Sequence, residues 1–426
     1  MARPLPRALR RASSLLVVAL VGGLLALRAG SCADGGSEGQ VVARPITERS
    51  DLVGGPGALG EVGDWLLQND QVRIVIQGTG FSRGFGVYGG SLIDADLNRV
   101  RQRSQGDSRG GLGRDNFSEL FPAVFLKAMR PSSIRAVDNE DGSSSVIVSG
   151  GPGDFLRLAQ TVNDLLAPTE DLRFTNEYRL APGARWVEII TTIRNTGSDP
   201  VRLPDPGLVD FLGEDVTLEL PVGDVILFGA GNDVFAEGAG FDLRFTLEDL
   251  LRSPPGLPRL PGLLVPFLAT RGRGVSYGFT NGITDPSLSQ VARAGYEGAD
   301  PRDMVVPFLA SAFTGAFYGA APRVLLPRGR ERPTCDTAAD CGGAGECRRG
   351  QCVIACRPDG ATCPDGAWCV EGQCDQSAFS FSKYFIVGDG DVASIRDAFH
   401  AIRGDATGQV AGLVRERRAQ TPEVGV

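Results

Sequence analysis

The chain has 426 residues, enough for two or three folded units, and its 42% hydrophobic and 22% charged content suits a globular protein with a real core. Gly 58 and Pro 27 make up about a fifth of the sequence, rich in turns but short of collagen-like or wholly disordered composition. Fifty-one acids against 43 bases give a net charge of −8, which argues against a nucleic-acid partner, and a single histidine leaves little material for imidazole chemistry.

Residues 1–31 read as a signal peptide. Arg3, Arg7, Arg10 and Arg11 precede the apolar run Leu15–Leu27, which is too short to span a bilayer comfortably. With Arg28, these arginines lie in a leader without an acid, and its removal leaves 38 bases against 51 acids, or −13. The run ends in Ala29-Gly30-Ser31-Cys32, which resembles the lipobox of bacterial lipoproteins, although Ala29 stands where leucine is usual. The resemblance implies lipidation of Cys32 and anchoring to a lipid membrane. Ordinary cleavage near Ala33, with Cys32 discarded, is the alternative. No later stretch approaches eighteen apolar residues, and residues 32–48 read as a flexible tether.

From 49 to 330 the signals have period two and predict an all-β domain, an antiparallel sandwich. Trp65-Leu66-Leu67 and Val72–Gln77 flank a turn at Asn69-Asp70, and Ser145–Val148 follows a turn at Asp141-Gly142. The clearest hairpin runs from Phe174 to Arg194. Phe174, Asn176, Tyr178 and Leu180 share one face, Ala181-Pro182-Gly183 turns, and Val187, Ile189, Thr191 and Ile193 return on one face. Asp224–Phe228, Gly274–Thr280 and Pro322–Leu326 are further strand candidates, and Leu243–Leu251 is a short helix candidate. Pro254, Pro255, Pro258, Pro261 and Pro266 mark an irregular crossing.

Eight cysteines crowd residues 331–376 in two copies of one pattern: Cys335, Cys341, Cys347, Cys352, then Cys356, Cys363, Cys369, Cys374. Each copy closes on Gly-Gln-Cys, the mark of a duplicated unit. With so few large apolar residues between them, the segment needs covalent staples, and in an exported chain these are disulfides. Zinc is disfavoured because there is no C-x2-C pair and no histidine in the segment. Pairing within each repeat is the economical arrangement. The spacing resembles Dickkopf-like or EGF-like cysteine-rich modules, which implies an extracellular setting. Residues 377–404 then return as a strand and a short helix, capped by Asp391. Residues 405–426 read as the start of a truncated β-sandwich or a loose tail, with a first strand at Gly408–Val414.

The series Asp64–Gln77, Gly89-Gly90-Ser91-Leu92-Ile93-Asp94, and Asn176–Leu180 to Asn195-Thr196-Gly197 resembles the galactose-mutarotase-type supersandwich. It is also similar to the N-terminal β region of secreted bacterial proteins, some of which continue into carboxypeptidase-regulatory-like and PHP-type metallohydrolase domains. The cysteine module is then an insertion between Val324–Leu326 and Tyr384–Val387. Mutarotases work through histidines, and this chain has none before His400, so that activity is not carried over. His400 itself sits on the helix beside Ile395, Phe399 and Ile402 and reads as a surface residue.

Gly84-Phe85-Gly86-Val87-Tyr88-Gly89 spells G-x-G-x-x-G, yet no helix pattern follows it, so it reads as a glycine-rich loop. Asp94 with Asp96, and Asp389 with Asp391, are calcium candidates by residue type, although neither pair extends into a full calcium loop; no other cofactor is indicated. Trp65, Tyr88, Tyr178 and Trp186 with Asp94 and Asp210 are candidates for a carbohydrate cleft, stacking rings and accepting hydroxyl hydrogens. These signals combine into a cell-envelope lipoprotein without catalysis of its own, binding a glycan or a surface protein. The alternatives are a carbohydrate-active enzyme using Glu177 and Asp210, or the ancillary front of a metallohydrolase.

Overall fold

The computed structural model describes residues 40–99, 113–124, 127–154, 171–203, 222–229, 233–236, 267–281, 306–310, 313–317, 323–327, 334–341, 345–356, 363, 367–370 and 372–408. The leader and Cys32, Asp210, the helix candidate at 243–251, the proline-rich crossing up to Pro266 and the strand expected at 410–414 lie outside them.

Alternating side chains build β1 (Val42–Pro45), β2 (Trp65–Gln68), β3 (Val72–Ile76) and β4 (Leu92–Leu97), then β5 (Phe117–Val124), β6 (Lys127–Asp138), β7 (Ser144–Asp154), β8 (Leu172–Leu180) and β9 (Trp186–Asn195). They are followed by β10 (Val201–Leu203), β11 (Val222–Phe228), β12 (Asp233–Ala236), β13 (Phe267–Arg271), β14 (Ser276–Asn281), β15 (Val306–Ala310), β16 (Phe313–Phe317) and β17 (Arg323–Leu325). Two small hairpins, β18 (Glu346–Arg348) with β19 (Gln351–Val353) and β20 (Trp368–Val370) with β21 (Gln373–Asp375), precede β22 (Ala378–Gly388) and helix α1 (Val392–Arg403).

A 16-stranded antiparallel sheet runs β1 through β9 in sequence order, then β22-β14-β13-β12, while β11 bridges β5 to β16 and β16 pairs β15. It curls on itself. Phe117 of β5 meets Phe385 of β22 at 4.7 Å and Tyr277 of β14 at 5.5 Å between ring centres, although these strands are well separated in the sheet order. One large cluster of buried side chains from both halves fills the sandwich.

The β8–β9 hairpin has the expected faces. Leu172, Phe174, Asn176, Tyr178 and Leu180 are buried opposite Val187, Ile189, Thr191 and Ile193, and the turn glycine Gly183 takes φ 69°. Strand β3 departs from a half-solvated pattern, because all five of its residues are buried. Its outer face is covered: Ile46, Val53, Leu66, Val75 and Ile93 form a separate cluster there. The same covering corrects the tether boundary. Val41 and Ile46 are buried and β1 begins at Val42, so the chain is pinned within the segment 32–48.

Helix α1 starts where Asp391 accepts from the Ser394 amide at 2.8 Å and stops at left-handed Gly404. Ile395, Ala398 and Phe399 pack on Phe267, Ala269 and Ile386. The cysteine segment is an insertion between β17 and β22, and its ends meet where the Leu326 amide donates to the Gln376 carbonyl at 3.1 Å. Its staples are four disulfides within the repeats: Cys335–Cys347, Cys341–Cys352, Cys356–Cys369 and Cys363–Cys374. Four disulfides suit an exported protein, and among the described residues no helix is long and apolar enough to cross a membrane.

Candidate functional site at the loop end of β2–β4

The start of β2, the end of β3 and the start of β4 lie at one end of the sheet, and two glycine-rich segments, 53–64 and 78–91, close over it. The second is a finger. Phe81 bridges Tyr88, the Ser82 amide donates to the Val87 carbonyl at 3.0 Å, and the Gly89 amide donates to the Gly80 carbonyl at 2.9 Å.

Glu119 of β5 sits fully buried inside the finger. The hydroxyls of Ser82 and Ser91 each donate to its Oε1 at 2.6 Å, and the Gly86 amide donates to Oε2. A β-carbon at Gly84 would stand 2.5 Å from Oε2 and one at Gly86 2.9 Å from Oε1. The G-x-G-x-x-G loop therefore does wrap an anion, but the anion is the chain's own carboxylate. Burial pushes the Glu119 carboxyl up from its usual range, against the opposing pull of these donors.

Asp94 clamps the other loop. A β-bulge between Val75 and Ile76 in the β3–β4 pairing pairs Asp94 with Val75 and Asp96 with Arg73, which turns both carboxylates to the covered outer face. The amides of Leu59 and Gly60 donate to Asp94 at 2.7 and 2.8 Å. Burial raises its carboxyl to about 6, offset by those two amides, with Asp64 adding to the rise and Arg83 opposing it. Asp96 pairs with Arg99 at 2.9 Å and accepts from the Arg114 amide at 2.7 Å. Behind them, fully buried Asp115 accepts from the Ala95 amide at 2.9 Å and lies 3.1 Å from the Tyr277 hydroxyl, while its Oδ2 has no hydrogen-bond partner. Its carboxyl is pushed well up, first by burial and then by Asp94.

Arg83 ties the two loops together. Its guanidinium donates to the Leu59 carbonyl at 2.9 Å, pairs with buried Asp64, and lies 3.8 Å from Glu61. The large apolar side chains that are exposed among the described residues are Phe81 at 71%, Val62 at 51%, Phe85 at 46% and Leu59 at 38%. All four belong to these two loops.

No protein-family model and no curated protein matches this chain. Solved structures similar to it include the α-galactosidase from Lactobacillus brevis, at 8% identity and TM-score 0.37, covering 80% of this chain and 41% of that one. A GH36 α-galactosidase AgaA variant from Geobacillus stearothermophilus in complex with raffinose gives 11% identity and TM-score 0.38, covering 80% and 42%. A putative aldose 1-epimerase from Klebsiella pneumoniae gives 8% identity and TM-score 0.33, covering 87% and 93%. The chain thus spans about two fifths of the length of the two galactosidases. These likenesses concern the arrangement of strands and carry no chemistry across.

The residues singled out from the sequence fall into two groups. Trp65, Tyr88, Asp94 and Tyr178 gather at or behind the loop end, but in different roles. Tyr178 is fully buried, its hydroxyl donating to the Gly90 carbonyl at 3.0 Å, and Trp65 packs half-buried against the core. The Tyr88 ring lies against β7, where a β-carbon on Gly153 would stand 2.5 Å from it. Trp186 is at the opposite end, beside α1, near the turn that Asn69 holds by donating to the carbonyls of Ala181 and Ala184.

Glu177 lies on the outer face of β8, accepting from the Ser145 hydroxyl at 2.6 Å. Its neighbour Glu188 is raised by burial, lowered by Arg179 and raised again by Glu177 itself. Asp389 pairs with Arg185 at 2.5 Å, while Asp391 is the helix cap already described. Among the described residues, the only groups of three ligand-type side chains whose donor atoms lie within 4.8 Å of one another are disulfide cysteines. His400 stands 3.0 Å from Asp405 beyond the end of α1.

Sequence reasoning missed Glu119, Asp115, Asp64, Arg83, Phe81 and Phe85. For Glu119 a signal existed: a lone carboxylate among the large apolar residues Phe117, Leu120 and Phe121.

Proposed function

We propose that this chain is an exported binding module of the cell envelope, held to a lipid membrane through Cys32, with carbohydrate as its ligand and no catalysis of its own. One observation carries the reading. Asp64, Asp94 and Glu119 are spent on Arg83, backbone amides and hydroxyls, so they hold the loops in place, and the large apolar side chains exposed among the described residues all belong to those loops. A surface of this kind suits contact, and these three carboxylates are engaged in holding the loops.

Anchoring is tested by detergent-phase partitioning: wild type enters the detergent phase and Cys32→Ala does not. A soluble wild type that starts at Asp34 overturns it. Binding is tested by retention on polysaccharides together with an assay for released sugar. Retention without release supports a module, and release overturns it.

A further inference from the structure

We infer that residues 58–62 form a strap that lifts off β3 and β4 as a unit, pivoting at Gly57 and Gly63, while the sheet beneath stays folded. The inference rests on the geometry of the loop and stands apart from the identity of any ligand.

The two ends of the strap are fixed by backbone pairing, and its crown is not. The Gly57 amide donates to the Asp115 carbonyl at 2.8 Å and the Gly63 amide to the Ile46 carbonyl at 2.9 Å. Between them, among the described residues, the crown is hydrogen-bonded to the sheet and the finger through three side chains. Leu59 and Gly60 donate to Asp94, Glu61 donates to Asp64 at 2.8 Å, and Arg83 donates to the Leu59 carbonyl. Leu59, Glu61 and Val62 are exposed and Ala58 and Gly60 half-buried, so the crown buries little apolar surface. Gly60 lies directly on the sheet: a β-carbon there would stand 2.5 Å from Asp94 Oδ2 and 3.2 Å from Val75 Cγ1. At the far pivot Gly63 takes φ 106°, and a β-carbon on it would meet nothing within 4 Å. A segment with few buried apolar contacts opens at a lower free energy than the sheet that carries it.

The ties also couple the strap to a proton. Asp94 faces Asp64 and Arg83 from the two loops and Asp115 from the segment before β5. One guanidinium serves Asp94, Asp64 and Glu61. On the same strand Asp96 is taken up by Arg99 and the Arg114 amide, and Arg73 of β3 donates to the Asp51 carbonyl. Burial beneath the strap raises the Asp94 carboxyl to about 6 against the pull of the two amides, and lifting the strap returns it to water and toward 3.8. The closed form therefore has its full stability in acid and weakens as pH rises through about 6.

The experiment records hydrogen exchange of the full exported chain, amide by amide, in EDTA. It runs from about pH 5 to about pH 7.5, with and without about 1 M urea. Relative to their intrinsic rates, Leu59, Gly60 and Glu61 are expected to exchange at least about tenfold faster than Ile74 and Val75 of β3, without the urea dependence that marks unfolding of the sheet. Gly60→Ala and Arg83→Gln should each speed exchange at Leu59 and Glu61 about tenfold further and leave Ile74 and Val75 unchanged. The opening equilibrium should rise about tenfold across the pH range, and Asp94→Asn should abolish that rise.

Crown amides that exchange only together with Ile74 and Val75, with the same urea dependence, overturn the strap. A crown that opens independently but equally at both ends of the pH range overturns its coupling to Asp94. Added calcium that slows crown exchange at neutral pH shows a cation held by these carboxylates and overturns the proton coupling as well.

Discussion

Asp94 offers the sharpest physical test of how the loop end is built. Its carboxyl titrates at about 6 in the folded chain against 3.8 as an ordinary aspartate. A carboxyl raised by folding contributes stability that is complete below the unfolded value and is lost as pH rises through the folded one. The difference amounts to about 3 kcal/mol in all, of which about 2 kcal/mol falls between about pH 4.5 and about pH 7.5. Asp94→Asn cannot ionise. Its amide oxygen can accept from only one of the Leu59 and Gly60 amides while its NH2 faces the other, a loss of about 1–3 kcal/mol that does not vary with pH. Urea unfolding of wild type and Asp94→Asn across that pH range separates the two effects. The stability of wild type relative to the variant should fall by about 2 kcal/mol from the acid to the neutral end. A difference constant to within about 0.5 kcal/mol would refute the reasoning.

Three further perturbations follow from the same geometry. Gly84→Ala drives a β-carbon to 2.5 Å from the Glu119 carboxylate, which Ser82 and Ser91 hold in place, so urea unfolding should show a loss of about 1–3 kcal/mol. Tyr277→Phe removes the hydroxyl that accepts from the Asn116 amide at 2.9 Å beside the buried Asp115, with an expected loss of about 1–3 kcal/mol in the same assay. Arg349 turns the β18–β19 hairpin at φ 52°, strained for a long side chain, so Arg349→Asn should stabilise it by about 0.5–1 kcal/mol, read as slower hydrogen exchange at Cys347 and Cys352. Unchanged or faster exchange there would count against a strained turn.

The parts legible in the sequence were those set by local periodicity. Phe174 to Leu180 and Val187 to Ile193 alternate cleanly because one face is buried, and the cysteine spacing marked a stapled insertion whose ends return to the sheet. Asp391 announced its helix because a capping carboxylate acts within three residues. The site was less legible for a physical reason: its contacts are distant in the chain. Nothing near Gly84 or Gly86 points to Glu119, and nothing near Leu59 points to Asp94. The Asp94-Ala95-Asp96 pair looked like a cation site by residue type. What residue type alone did not show is that the bulge beside it places the two acids against amides and Arg99. Strand β6 was also missed, since Pro131 and the serines beside it interrupt the alternation where a register shift occurs between Pro131 and Ser133.

The most direct measurement combines binding and turnover on one sample. The full exported chain is incubated with a neutral polysaccharide that retains it, hydrogen exchange is recorded with and without that ligand, and the supernatant is assayed for released reducing sugar. The expected result is added protection in segments 53–64 and 78–91 with no sugar released. Release of sugar that disappears in Glu177→Gln, with protection on the outer face of β8 and β9 instead, would contradict a non-catalytic module at the loop end.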